Sequence, residues 1–167
     1  MTVTLVTHPA PAWLRELATA RTNYEELHGW PVAVEVSSRS LTLTAGQVID
    51  AVGMPAALGE LVQLQLQLMM LDGPVIAGPR AGWLTFLAEP SSSPNPMLPP
   101  DLEDALVRLA PRGEHVVVPI ARAVHRLRDV RWLNPPRPRR RLPEWTVVIG
   151  ATRRVVATRT APDRLAA

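Results

Sequence analysis

The feature that most limits what this chain can fold into is its punctuation: the apolar residues come in short runs, and proline or glycine closes nearly every one of them. Proline inside a helix or a central strand removes a backbone donor, and glycine after a helix supplies the left-handed residue that ends it. Each element is therefore bounded by a nearby proline or glycine. A set of helices and short strands around one core is expected, and 167 residues are enough for one such core.

Ala10–Leu27 places Trp13, Leu14, Leu17, Ala20, Tyr24 and Leu27 near the helical period and predicts a helix that Gly29 ends. Pro31–Val36 and Leu41–Thr44 alternate around a Ser-Ser-Arg-Ser turn and predict two strands; Gln47–Val52 predicts a third. Met54–Leu71, with Pro55 near its start and Asp72-Gly73-Pro74 as a stop, predicts a helix, although Leu64, Leu66 and Leu68 alternate as in a strand. Pro74–Ala77 and Trp83–Ala88 predict a hairpin around Gly78–Gly82.

Pro90–Pro100 reads as a mobile surface loop, flexible over 90–99 and poor in residues that pack. Pro100–Leu109 predicts a short helix with Asp101, Glu103 and Asp104 in its first turn, where the helix dipole favours acids. His115–Pro119 and Val130–Leu133 predict strands, and 134–143 is a stiff Pro/Arg segment. Glu144–Thr158 is a helix if Pro143 starts it, or a strand if its valines decide; 160–167 reads as a disordered tail. The fold class expected is α/β of the α+β type. It is a single domain, 1–167, with a mixed or antiparallel sheet of short strands and flanking helices.

Several chemistries find no footing. Cysteine is absent, which excludes a disulfide scaffold, a thiol nucleophile and a thiolate zinc site, and fits a reducing compartment such as the cytoplasm. Met1–Pro11 carries no basic region followed by an apolar run, and no stretch approaches the roughly 18 apolar residues of a membrane span, so no membrane association is expected. Gly78-Pro79-Arg80-Ala81-Gly82 lacks the lysine and hydroxyl of a phosphate loop and reads as a turn. His8, His28, His115 and His125 have neither helical pairing nor acidic neighbours, so no metal and no cofactor are expected. Ser91, Ser92 and Ser93 lie in a proline-rich loop, not on a nucleophile elbow.

Charge is divided unevenly. All 18 basic residues are arginine. Residues 1–107 hold 4 Arg against 11 acids, net −7, while residues 108–167 hold 14 Arg against 4 acids, net +10. Arg122, Arg126, Arg128, Arg131, Arg137, Arg139, Arg140 and Arg141 form a strip, and the prolines around the last four are expected to hold the backbone extended. Such a strip suits phosphates, because the guanidinium fork engages two oxygens at once. Five such contacts to duplex DNA predict a log–log salt slope of roughly −4 to −5.

Two readings stay open: the strip contacts DNA or RNA, or it pairs with the acidic N-terminal part, net −7, within the fold, or with acidic surface of a protein partner or of a homodimer through acidic/basic complementarity. Trp30, Trp83 and Trp132 read as packing residues, and Trp145, beside the strip, as the exposed aromatic on which a base could stack.

Stretches in fixed order, together covering about Trp13 to Ile149, carry a resemblance. They are Leu27-His28-Gly29-Trp30-Pro31-Val32, Gln47-Val48-Ile49-Asp50 leading to Met54-Pro55-Ala56-Ala57-Leu58, Gly73-Pro74-Val75, and Gly82-Trp83-Leu84-Thr85-Phe86. Gly113-Glu114-His115-Val116-Val117-Val118-Pro119 and Val130-Arg131-Trp132-Leu133-Asn134-Pro135-Pro136 follow. In this order the chain resembles small members of the bifunctional primase-polymerase family, which are archaeo-eukaryotic primase-like proteins.

The resemblance implies a strand with two carboxylates one residue apart, to hold two metal ions against nucleotide phosphates. Asp50 falls where the first would lie, but Val52 stands at the second position, and Val48 lies on the other side. Trp83 occupies the position of the family's nucleotide-contacting histidine, and Val107 that of a further acid. The resemblance therefore implies a scaffold without catalytic residues, its old cleft filled by Val52 and Trp83, acting as a binding or regulatory module and not as an enzyme.

Overall fold

A computed structural model describes residues 10–120 and 130–160. Helix α1, Ala12–His28, turns Leu17 and Tyr24 inward, two helical turns apart. It stops at Gly29, whose φ of +67° is left-handed; the Gly29 amide donates to Glu25 O and the Trp30 amide to Tyr24 O, closing the last carbonyls. Strands β1 (Ala33–Glu35) and β2 (Ser40–Thr44) follow, then β3 (Asp50–Pro55), α2 (Ala56–Leu68), β4 (Val75–Ala77) and β5 (Trp83–Ala88). The rest comprises α3 (Pro100–Asp104), β6 (Arg108–Leu109), β7 (His115–Val118), β8 (Arg131–Asn134) and α4 (Trp145–Thr160).

The strands form two antiparallel sheets, ordered β1-β2-β7 and β6-β3-β5-β4-β8, which gives the α+β class expected and settles its sheet as antiparallel. The larger sheet is covered on both faces. Val52 and Met54 of β3, Leu84 and Phe86 of β5 and Val75 of β4 point to one side, against Leu58, Val62 and Leu66 of α2 and Val148 and Ile149 of α4. Ala51, Leu87 and Ile76 point the other way, against Leu17 and Tyr24 of α1 and Leu41 and Leu43 of the smaller sheet. Two covered faces explain why these strands read as continuous apolar runs.

Prolines stand where the fold tolerates them: Pro11, Pro55 and Pro99 sit immediately before α1, α2 and α3, and Pro143 two residues before α4. In α2 the helical reading prevails, with Leu66 buried while Leu64 and Leu68 are exposed. In α4 it also prevails over the strand alternative, because Val148, Ile149, Ala151 and Thr152 share one buried helical face.

Three expectations need correction. β3 starts three residues later than Gln47, because the chain first turns at Gly46, φ +82°, whose amide donates to Ile49 O. The helix expected over Pro100–Leu109 ends at Asp104: Leu106 is left-handed at φ +61°, which turns fully buried Val107 into the core and lets Arg108 and Leu109 pair with β3. Pro90–Pro100 is irregular but not poor in anchors. The Ser91 amide donates to Asp50 Oδ2 at 2.8 Å, Arg112 Nη2 donates to the carbonyls of Ser91 and Ser93 at 2.7 Å each, and Leu98 packs on the helix-side core.

Candidate nucleic-acid interface

Arg126 and Arg128, with Arg122 and His125, lie outside the described residues. The described part of the strip begins on β8, an edge of the larger sheet. Strand alternation exposes Arg131 and Leu133 and turns Trp132 and Asn134 inward. Trp132 is a packing residue: its indole Nε1 donates to the Tyr24 hydroxyl at 3.0 Å, and that hydroxyl donates to Pro119 O. Asn134 Nδ2 donates to Gly73 O at 2.7 Å and to Asp72 Oδ2 at 3.1 Å.

After Pro135 and Pro136 the backbone does not stay extended. It reverses over Arg137–Arg140, where the Arg140 amide donates to Arg137 O and Arg139 adopts φ +61°. Pro138 then stands at the position where its fixed φ favours a tight turn. The turn brings Arg137 and Arg140 onto one carboxylate: Arg137 Nη2 lies 3.4 Å from Asp72 Oδ2, and Arg140 Nη2 lies 3.3 Å from Asp72 Oδ1 and 3.2 Å from Met70 O. Asp72 is only 11% exposed in its side chain, so this acid of the α2–β4 connection clamps the basic segment from beneath. Among the described residues Arg131, Arg139 and Arg141 make no ion pair and are exposed.

The far end of the segment is fixed by contact and by hydrogen bonding. Glu89 N donates to Pro143 O at 2.8 Å. Pro143 lies over Gly73 so closely that a Cβ on Gly73 would collide with its ring. Leu142 packs against the core on the α1 side of the sheet.

Trp145 is not the exposed aromatic expected. Its ring packs against the helix-side core, and its indole N–H is enclosed without an acceptor among the described residues. Apolar residues on the following helical turns, Val148 and Ile149, draw that face of α4 inward and take Trp145 with them. Trp30, 7% exposed, stacks on Tyr24 with ring centroids 5.9 Å apart. His28 lies 5.2 Å from the Trp30 ring, and burial lowers its pKa. His115 is exposed.

The positions that the resemblance singles out do not meet. Asp50 is buried at the start of β3, paired with Ala88, while Trp83 pairs with Pro55 at the other end, about 16 Å along the strand. Val52 is fully buried on the helix side, whereas Trp83, half-buried, lies on the opposite face, with its indole in the space left by Gly53. Val52 and Trp83 thus fill separate spaces, and the expectation of one cleft filled by both is corrected. Val107 is a core residue.

Sequence reading missed Asp72 as the partner of the strip. Its only signal is an acid in the turn that stops α2, and the pairing spans 65 and 68 residues of chain. Among the described residues no group of three or more His, Asp or Glu side chains converges on an ion-sized position, and no helix is long and apolar enough to cross a membrane. Comparisons with family models, curated proteins and solved structures found no match for the chain.

Proposed function

We propose that the chain is a binding or regulatory module on a catalytically silent, primase-polymerase-like scaffold, that it works in the cytoplasm, and that it contacts nucleic acid through the arginines of β8 and the segment after it. The observation that carries this reading is the fixed presentation of Arg137–Arg141. Asp72, Gly73 and Pro143 pin the segment, while Arg139 and Arg141 face solvent. Guanidinium groups whose backbone is already ordered lose less freedom on meeting phosphates than groups on a free tail. The silent side of the reading is supported by Asp50, whose carboxylate takes the Ser91 amide, and by Val52, which serves the core.

The test is a titration of labelled single- and double-stranded DNA at two salt concentrations. The native chain should give a log–log salt slope of roughly −4 to −5, and a variant with Arg139→Gly and Arg141→Ala should flatten it by about two. Glycine suits the left-handed position of Arg139, so the fold is retained and a loss of affinity reports the guanidinium groups. Equal affinity of variant and native chain would remove the reading.

A second reading, a scaffold subunit that meets a protein, is supported by the ion pairs of Arg137 and Arg140 with Asp72 and of Arg153 with Asp101. In these pairs acids of the N-terminal part already answer arginines of the C-terminal part. That reading predicts no DNA shift at physiological salt.

A further inference from the structure

Helix α2 carries apolar residues on the side away from the core. Ala57, Leu61, Leu64 and Leu68 follow one another at steps of four, three and four residues, and all are exposed: Leu61 42%, Leu64 53% and Leu68 74%. Leu58, Val62 and Leu66, the residues that face the core, lie on the opposite side. Steps of four and three are the seven-residue repeat of a helix that packs along a second helix, with leucines as knobs. The ridge runs about 16 Å at 1.5 Å per residue.

We propose that this ridge is a homodimer interface in which α2 of one copy packs parallel to α2 of a second copy. The ridge is self-complementary, because a repeat of this spacing is the surface that another such repeat interlocks with. Charge selects the direction. On the helical wheel Glu60 and Gln67 border the ridge on one side, and Gln65 and Met69 border it on the other. Arg154 of α4 reaches over to that second side, with its Nη1 3.7 Å from Met69 Sδ, beside Gln65 Nε2 at 3.5 Å from the same sulfur.

In a parallel pair, opposite borders face each other, so each Glu60 meets the partner copy's Gln65 border, where its arginine lies. In an antiparallel pair like borders meet, and Glu60 would face only glutamine. A ridge of this length makes a small interface, so the dimer should form in the micromolar range. This inference is independent of what the arginine strip binds.

Sedimentation of the full chain across the micromolar range tests it. The native chain should pass from monomer to dimer as concentration rises, and should associate more, not less, in sulfate, which strengthens apolar contact. Leu64→Glu should stay monomeric with an unchanged circular dichroism spectrum and, at concentrations where the native chain is itself monomeric, an unchanged melting temperature, since the side chain is exposed. Glu60→Arg and Arg154→Glu should each weaken the dimer at least several-fold, and the double variant should restore it. A chain monomeric at every concentration, with or without a foreign protein bound to the ridge, overturns the proposal, as does a dimer that survives Leu64→Glu. A dimer lost with Leu64→Glu but not restored by the double charge exchange overturns the parallel arrangement.

Discussion

The phenol of Tyr24 donates to Pro119 O and accepts the indole N–H of Trp132, so one side chain ties α1 to the chain after β7 and to β8. Burial pushes its pKa from 10.0 up to about 12. The folded state therefore holds the proton more tightly than the unfolded chain. The stabilisation is complete below the unfolded value near 10 and is lost as pH rises through about 12, a loss on the order of 2 kcal/mol. Tyr24 is the sole tyrosine, so alkaline titration of phenolate absorbance reads it alone. Stability to urea should fall over that pH window in the native chain and should not show this loss in Tyr24→Phe; titration at the ordinary tyrosine pH would refute the account. Apolar spacing placed Tyr24 on the inner face of a helix. Its hydroxyl partners were not legible, because they lie 95 and 108 residues away and only the completed sheet brings them near.

At the level of elements, sequence and structure agree where periodicity and punctuation point the same way, as in α1 with Gly29 and in the β4–β5 hairpin. They part where distant pairing decides. Arg108 and Leu109 leave the expected helix because β3 offers them a ladder, and the Pro/Arg segment bends into a turn because Asp72 draws Arg137 and Arg140 together. The docking of that segment rests on a missing side chain: Gly73 admits the Pro143 ring where any Cβ would collide. Gly73→Ala should lower stability by about 1–3 kcal/mol in thermal or urea unfolding, as overpacking does. The altered chain should keep its helical content, because only the seat of the segment is disturbed. An unchanged midpoint would mean that Pro143 is held some other way.

For the molecule as a whole, the division of charge is not a division into domains. β6, β7, β8 and α4 all come from the basic part, after residue 107, and they pair with or cover β3, β2, β4 and α2 of the acidic part. The complete chain should unfold in one cooperative transition. A fragment of residues 1–107 should show none, since both sheets lose strands and α2 loses its cover; a cooperative melt of that fragment would refute the mutual dependence. The charge asymmetry and most of the candidate strip were legible from arginine counts alone. The inward turn of Trp145 was not, because the neighbouring arginines suggested solvent while the spacing to Val148 and Ile149 decided otherwise.

The larger sheet, closed above and below, still ends in two borders. One is β6, two residues long; the other is β8, which presents Arg131 and runs straight into Pro135 and Pro136. An incoming extended chain finds too few free amides on the first, and on the second a positive charge followed by residues that have no amide to offer. Among the described strands, the same guanidinium-and-proline composition that makes the segment a candidate for binding thus also makes this border of the larger sheet a poor template for an added strand.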